Sequence, residues 1–482
     1  MKNVKAGQFK IDAIALVNQE GESVDIRNLV IDFNLFESIY SKFVTASIEV
    51  SDGLNLIKNF RMSGQEFIRI AISQREGYGE TASDEFSIDK TFRIYKISNV
   101  TRVSDQMQFY KIDLCDPRMI VASQKRLSRV FRGSYNGILG NVLLDNLFVN
   151  PKEIDLFQES APDNIQFICP NWRITKLIDF CVKNADSGDQ NTPYHNDYFF
   201  YQSLNGGFRF DSLQAMMSRE SPVKFSYFPR NAVEQEGLSL DDPIYGLNTQ
   251  IISIEKPTIF NFLEGVRRGA YSGLQKTYDP ISKIVEDVIY DYEETFSRSA
   301  GDHVSGFPLV RTVRDEKILS PRNIVDQSTN PLYDEVGVEL APDKAFDSFH
   351  LYESKMTHAF DPLKFEEEEI FKAYNSDNSE NYALERNAML ELLQQNRVVV
   401  QTPLRTDMFV GCVVNLITPS PEFGGSGDKL NDDRYIITDL SVTGRSDNSG
   451  VMHLECVKES FASKLADTEQ LSSTQSDPRS LS

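Results

Sequence analysis

The sequence predicts a mainly β protein with an α+β module set into it, and three observations carry that reading. Residues 9 to about 116 and 397 to 461 alternate apolar and polar side chains with a period of two, which puts one face of each strand on a core and the other in solvent. Between 119 and 225 the spacing becomes helical in places. After position 275, about 120 residues are irregular and hydrophilic, punctuated by Asp-Pro and Ser-Pro. A length of 482 residues suggests roughly three domains at about 150 residues each. Hydrophobic residues at 40% and charged residues at 25% supply enough for folded cores.

Residues 1–118 read as a first β domain. Its strands are "FKIDAIALVN", "FVTASIEVSD", "EFIRIAISQ", "TFRIYKISNVTRVS" and "QFYKIDLCD", with "VSDGLNLIKNF" as a short helical crossover. Residues 119–225 read as an α+β domain. In "GSYNGILGNVLLDNLFVN", Ile138, Val142, Leu143 and Leu147 fall at helical spacing. In "RITKLIDFCVKNA", Ile174, Leu177, Ile178, Cys181 and Val182 make the apolar stripe of a helix of about three turns. Trp172, the single tryptophan, stands at the entrance to that helix and reads as a packing keystone with its N–H near a wet edge. "YFFYQSLNGGFRFD" reads as an aromatic hairpin in which Asn205–Gly207 supply positive φ. Strands resume over 226–272 in "GLNTQIISIEKP" and "FNFLEGVRRGAYSGL". The irregular stretch holds "KFEEEEIFKAYN", whose Glu366–Glu369 read as a solvated face, and the helix "ENYALERNAMLELLQQNR". "RVVVQTPL", "GCVVNLIT", "RYIITDLSVTG" and "GVMHLECVKES" form a second β domain, interrupted by the loop "PSPEFGGSGDKLNDD". The polar tail 462–482 is expected to be disordered.

Charge and composition exclude several classes. Fifty Lys and Arg against 71 Asp and Glu give a net charge of -21, which disfavours binding through phosphate contacts. Cys115, Cys169, Cys181, Cys412 and Cys456 are odd in number, with no C-x-x-C pair. They read as small buried hydrophobes in a reducing compartment rather than a disulfide framework. Asp12 interrupts the apolar part of the N-terminus, so no signal peptide is expected. No run approaches the ~18 apolar residues of a membrane span.

The motif search finds no positive sign of catalysis. His195, His303, His350, His358 and His453 are scattered, without the convergence that a metal requires. "GYGETA" matches a loose dinucleotide pattern but lacks the strand before it and the helix after it. No P-loop is present. "SPVK" has the Ser221–Lys224 spacing of some acyl enzymes, but in a Pro-containing, strand-like setting. "FGGSGD" lacks the setting of a nucleophile elbow, and Asp241 and Asp242 read as solvated neighbours. Catalytic, cofactor-binding and metal-ligating residues are therefore all expected to be none. "ASQKRLSRVFRG", with Lys125, Arg126, Arg129 and Arg132, reads as a solvated helix face or as a local contact for an acidic partner.

The order of these segments resembles a known family. W-x-x-x-x-x-I-D-F at Trp172–Phe180, the aromatic hairpin, "FNFLEGVRRGAYSGLQKTYDP", "FVGCVVNLI" and "RYIITDLSV" together look like the baseplate central hub subunit of T-even-like contractile-tailed phages. That fold family also includes the hub portion of type VI secretion spike proteins. The resemblance spans most of residues 1–461 and implies two small tail-tube-like β-barrel domains. The second would be split between 226–275 and 395–461, around an insertion domain at 276–394. It further implies a homotrimer that adapts a sixfold tail tube to a threefold central spike, with tube or tube-initiator, spike and wedge proteins as partners. The location implied is the tail baseplate of the virion, assembled in the host bacterial cytoplasm. An acidic lumen would then let DNA pass without adsorbing. Two rivals are a tail-associated hydrolase, which needs converging acids or histidines, and a carbohydrate- or receptor-binding tail protein. The latter would stack sugars on Tyr194, Tyr198, Phe200 and Tyr201, although strand alternation predicts half of these buried.

Overall fold

The computed structural model describes residues 6–75, 85–104, 107–157, 165–185, 197–221, 223–227, 248–259, 261–278, 285–292, 296, 305, 307–308, 350–354, 383–418 and 433–461. The first β segment holds β1 (Lys10–Val17), β2 (Ser23–Asp25), β3 (Val30–Ser38), β4 (Thr45–Asp52), α1 (Leu56–Asn59), β5 (Phe67–Arg75), β6 (Glu85–Ser104) and β7 (Met107–Cys115). Next come α2 (Pro117–Gln124), β8 (Arg126–Gly133), α3 (Tyr135–Leu147), β9 (Ile154–Phe157), β10 (Ile165–Arg173), α4 (Ile174–Asn184), β11 (Tyr198–Gln202), β12 (Phe208–Ser212) and α5 (Leu213–Met217). They are followed by β13 (Val223–Ser226), β14 (Ser253–Thr258), α6 (Phe262–Arg268), β15 (Ser272–Tyr278), β16 (Val285–Asp291), β17 (Phe307–Pro308) and β18 (His350–Ser354). The last elements are α7 (Ala383–Leu392), β19 (Arg397–Pro403), β20 (Val413–Ile417), β21 (Asp433–Arg445), β22 (Gly450–Val457) and β23 (Ser460–Phe461). Among them, no helix is long and apolar enough to cross a membrane.

The protein is mainly β, dominated by one 13-stranded sheet. Its path repeats one arrangement twice. The early strands run β3-β4-β7-β6-β5-β1 and the late ones β14-β19-β22-β21-β20-β13, neighbour by neighbour. The last pair departs from the repeat: β1 joins β5 antiparallel, whereas β13 joins β20 parallel. In each set one long strand, β6 or β21, passes between two partners along its length.

The two sets meet where β21 pairs antiparallel with β3, from Asp439 opposite Ser38 to Arg445 opposite Asp32. Thr443 also donates to the Asn34 side chain at 2.6 Å across this junction. Gly444 lies under the Phe33 ring, where a Cβ would come within 2.2 Å of ring carbon, so a larger residue would push the two strands apart. Closed barrels, expected from the resemblance, are not seen in the described pairings.

Alternation sorts the two faces of this sheet. Phe33, Leu35, Ile48, Ile112, Leu114, Leu440, Val442, Leu454 and Val400 lie in one core, which continues into Tyr271, Tyr292 and Leu392. A second core forms among α2, α3, α4, β8 and β10, around Ile138, Leu143, Ile174, Leu177, Ile178 and Cys181. The aromatic hairpin lies between the cores. Tyr198, Phe200, Phe208 and Phe210 belong to the second, whereas Phe199 and Tyr201 belong to the first. Every residue of β11 and β12 is therefore buried, rather than the half that alternation predicts.

Three local expectations are corrected. The stretch read as a helix face, residues 122–133, ends α2 at Gln124 and becomes strand β8, because pairing with β10 holds Arg126–Gly133 extended. Trp172 does precede α4, but as the penultimate residue of strand β10, opposite Leu127 and half-buried. Gly207 does not adopt positive φ. It is required because a Cβ there would fall 1.5 Å from the Glu153 carbonyl oxygen. The tail 462–482, the glutamates 366–369, "GYGETA" at 77–82 and "FGGSGD" at 423–428 lie outside the described residues, and so does most of 276–394 apart from β16, β17, β18, α7 and a few residues beside them.

Candidate functional site

The described surface offers an open sheet face, unpaired sheet edges and a separate ribbon. On the open face, strand pairing lines up Glu255, Val399, Glu455, Asp439 and Ser38 in one row. A second row runs Gln401, His453, Ser441, Phe36, Thr45. A third runs Arg445, Asp32, Glu49, Lys111 and Ser98. Small polar residues and charges of both signs share this face. Asp32, Glu49, Asp113, Asp439, Glu455 and Glu255 outnumber Lys96, Lys111, Arg397 and Arg445 on it. A cleft of about 290 Å³ opens over the junction between Phe36, Asp439, His453 and Glu455. Arg397 closes on Glu455 at 2.5 Å at its side.

Several stretches of sheet edge have no strand beside them among the described residues, β2 at one end of the path among them, and two others are counterparts of the β3–β21 junction. β14 ends the sheet path, and residues 96–104 of β6 pair with β7 alone. The matching stretch of β21 is the one that pairs with β3. Val100 and Val103 on the β6 stretch are 55% and 62% exposed. Pro257, which has no N–H to donate, sits on β14, where a proline is tolerated because that strand is an edge.

The sheet is held to the middle of the chain by buried polar groups. Glu37 on β3 accepts from the Leu204 N–H at 3.0 Å and from the Val410 N–H at 3.0 Å. Burial pushes its carboxyl up to about 7, although both N–H groups pull the other way. Gln202 accepts from the Val44 N–H at 3.2 Å and donates to Asp116 at 2.7 Å. Lys90 donates to the Gly206 carbonyl at 2.6 Å. Asp211 receives Arg219 at 2.6 Å and the Tyr201 hydroxyl at 3.1 Å. Such partners are needed because an unpaired buried charge costs several kcal/mol, on the order of 3–5. These groups tie segments together, and Glu37 also borders the cleft over the junction.

The residues singled out by motif do not converge. Lys224 is exposed on β13, separated from the Ser221 hydroxyl, which donates to the Val223 carbonyl. His453 is exposed on the open face. His350 begins β18, while His195, His303, His358, Asp241 and Asp242 lie outside the described residues. No group of three or more His, Cys, Asp or Glu able to hold a metal occurs among the described residues. All five cysteines are buried and free. Burial pushes Cys115 up to about 11 and Cys412 up to about 12, away from the thiolate that reacts. Tyr198, Phe200 and Tyr201 are buried, so they cannot form a sugar-stacking face; Tyr194 lies outside the described residues. What sequence reasoning missed is the pairing of the two β segments, which only the partner of an edge strand reveals.

No family profile matches the chain, and no curated protein matches it. Among solved structures it is similar to the tail protein of Neisseria meningitidis MC58, at 8% identity and a TM-score of 0.48, over 94% of this chain and 97% of that one. It is similar to the 43 kDa tail protein of prophage MuSo2 from Shewanella oneidensis, also at 8% identity and a TM-score of 0.48, over 93% and 98% of the two chains. A third similar structure is an E. coli component of the type VI secretion system, at 9% identity and a TM-score of 0.40, over 95% and 79%.

Proposed function

We propose that the chain is a structural, non-enzymatic subunit of a contractile tail, the baseplate hub, working as a trimeric ring. The observation that carries this reading is the repeated strand order joined at β3–β21, with β14 and residues 96–104 of β6 left open. The open stretch of β6 is the counterpart of the β21 stretch in that junction, and β14 is the counterpart of β3. Setting β6 of one copy beside β14 of the next therefore repeats between copies the contact already made within one. A head-to-tail contact of this kind closes into a ring or runs on as a filament. Three copies would give six similar sheet units with true threefold symmetry. One end would then suit a sixfold tail tube or tube-initiator protein and the other a threefold central spike, with wedge proteins outside.

The polar open face, where acids outnumber bases, would line the channel, and its excess negative charge would keep passing DNA from adsorbing. Such a ring belongs in the virion's tail baseplate and is assembled in the host cytoplasm. Pro257 limits how far β14 can hydrogen-bond to a neighbour, so side-chain packing on Val100 and Val103 carries part of the contact. Native mass spectrometry of the purified chain, alone and with its spike, tests the reading. A mass of three copies is expected; a chain that stays monomeric in both samples sinks it.

A further inference from the structure

We propose that the outward face of the β8–β10 ribbon docks an extended, acidic protein segment with aliphatic residues at its centre. This surface shares no residue with the ring contact and stands without it. The ribbon is a two-stranded sheet of its own. Its inner face is fully used: Phe131 stacks on Phe167 at 5.5 Å, and Phe167 meets Phe180 at 4.7 Å. Its outer face is not. Val130 and Ile168 are directly opposed across the strands and are 47% and 72% exposed.

Arginines surround this apolar pair. Arg132 follows Val130 on the outward side, opposite Gln166. At the other end Arg126 faces Arg173, and like charges directly opposite destabilise a strand pair. Arg129, one position before Val130, belongs to the other face, where it lies over the Phe131 ring at 4.6 Å. Among the described residues, none of Arg126, Arg132 and Arg173 has a carboxylate partner within ion-pair distance, although acids outnumber bases by 71 to 50 in the chain. Some exposed arginines elsewhere do, Arg27 with Asp25, Arg69 with Asp89 and Arg268 with Glu264, whereas Arg61 and Arg445 do not among the described residues. The ribbon therefore keeps an electrostatic cost that an acidic ligand would remove.

A protein segment fits this surface better than nucleic acid does. The net charge of -21 repels polyphosphate at long range. A phosphate backbone would also leave Val130 and Ile168 against charge, whereas aliphatic side chains bury them favourably. Arg126 and Arg132 are six positions apart on one strand, about 20 Å at 3.3 Å per residue. The ligand is thus an extended stretch of about seven residues with acids towards both ends.

Fluorescence anisotropy on the full chain tests this. The probe is a labelled nine-residue peptide, Glu-Glu-Val-Thr-Val-Thr-Val-Glu-Glu, set against a version with its acids moved to the centre and against a 20-base-pair DNA duplex. The first peptide is expected to bind best and to weaken as salt rises. Arg126→Gln with Arg132→Gln should weaken it about tenfold, as loss of two complementary charges does. Ile168→Thr, which keeps a strand-forming residue, should weaken it without changing the salt dependence, and Arg27→Gln should leave it unchanged. Thermal melts of each variant matching the parent protein separate lost binding from lost folding. The proposal is overturned if the parent protein binds none of the probes, if the arginine variant binds as well as the parent, or if the duplex binds more tightly than the first peptide.

Discussion

Glu37 draws together three segments far apart in sequence, since its two oxygens receive N–H groups from Leu204 and Val410. Its carboxyl, pushed up to about 7 by burial, binds a proton more tightly in the folded chain than in the unfolded one. That stabilisation is complete below the unfolded value near 4.5 and is lost as pH rises through about 7. Asp197, also buried and pushed up to about 7, acts in the same direction. Thermal stability should therefore fall between pH 5.5 and 8, by on the order of 2 kcal/mol from Glu37 alone. Asp89 and Glu66 are held below the usual carboxylate range, so they act only at more acid pH. Glu37→Gln, with its amide as a neutral replacement, should flatten the slope in melting curves; an unchanged slope rules out Glu37 as its source. Trp172 illustrates what a residue type alone conceals. It contacts Phe180 at 5.2 Å, with Lys176 over its ring at 5.0 Å, but is only half-buried. A fully buried tryptophan would predict a loss of about 3 kcal/mol on truncation, and half-burial lowers this to about 2 for Trp172→Ala. Urea denaturation reads the value, and a loss near zero would remove its packing role.

Elements were legible where one periodicity governed them. The apolar stripe from Ile174 places α4, which runs Ile174–Asn184, and the period-two runs of β3, β4 and β22 keep most of their apolar residues on one core, with Ile31 and Phe36 of β3 on the open face. The stretch Arg126–Gly133 was not legible as a strand, because Arg, Leu, Ser and Val tolerate both states and pairing with β10 decided. The hairpin misled in another way: alternation assumes one buried face, whereas β11 and β12 have a core on each side. The edge stretch of β6 supports its own prediction. Val100→Glu with Val103→Glu puts charge on two exposed residues, so the fold should lose no more than about 0.5 kcal/mol. The same change should shift sedimentation from trimer towards monomer. A trimer that survives it at equal concentration would exclude this edge from the ring contact.

On the scale of the whole molecule, one sheet is built from strands about 400 positions apart, as the Thr443–Asn34 hydrogen bond shows. The ring reading belongs to this scale, and so does the mass of three copies that tests it. By itself the sequence determined the β-rich ends, the helices of the middle, the buried positions and the overall negative charge. Each of these follows from side-chain hydrophobicity, spacing and titration. Only the tertiary structure decided that the two β segments share a sheet, which edges stay open, and that four arginines gather on one ribbon with no carboxylate at ion-pair distance among the described residues. Edge pairing is made by backbone N–H and C=O groups that nearly every residue carries, so side-chain periodicity reports which face of a strand is buried and not which strand lies beside it.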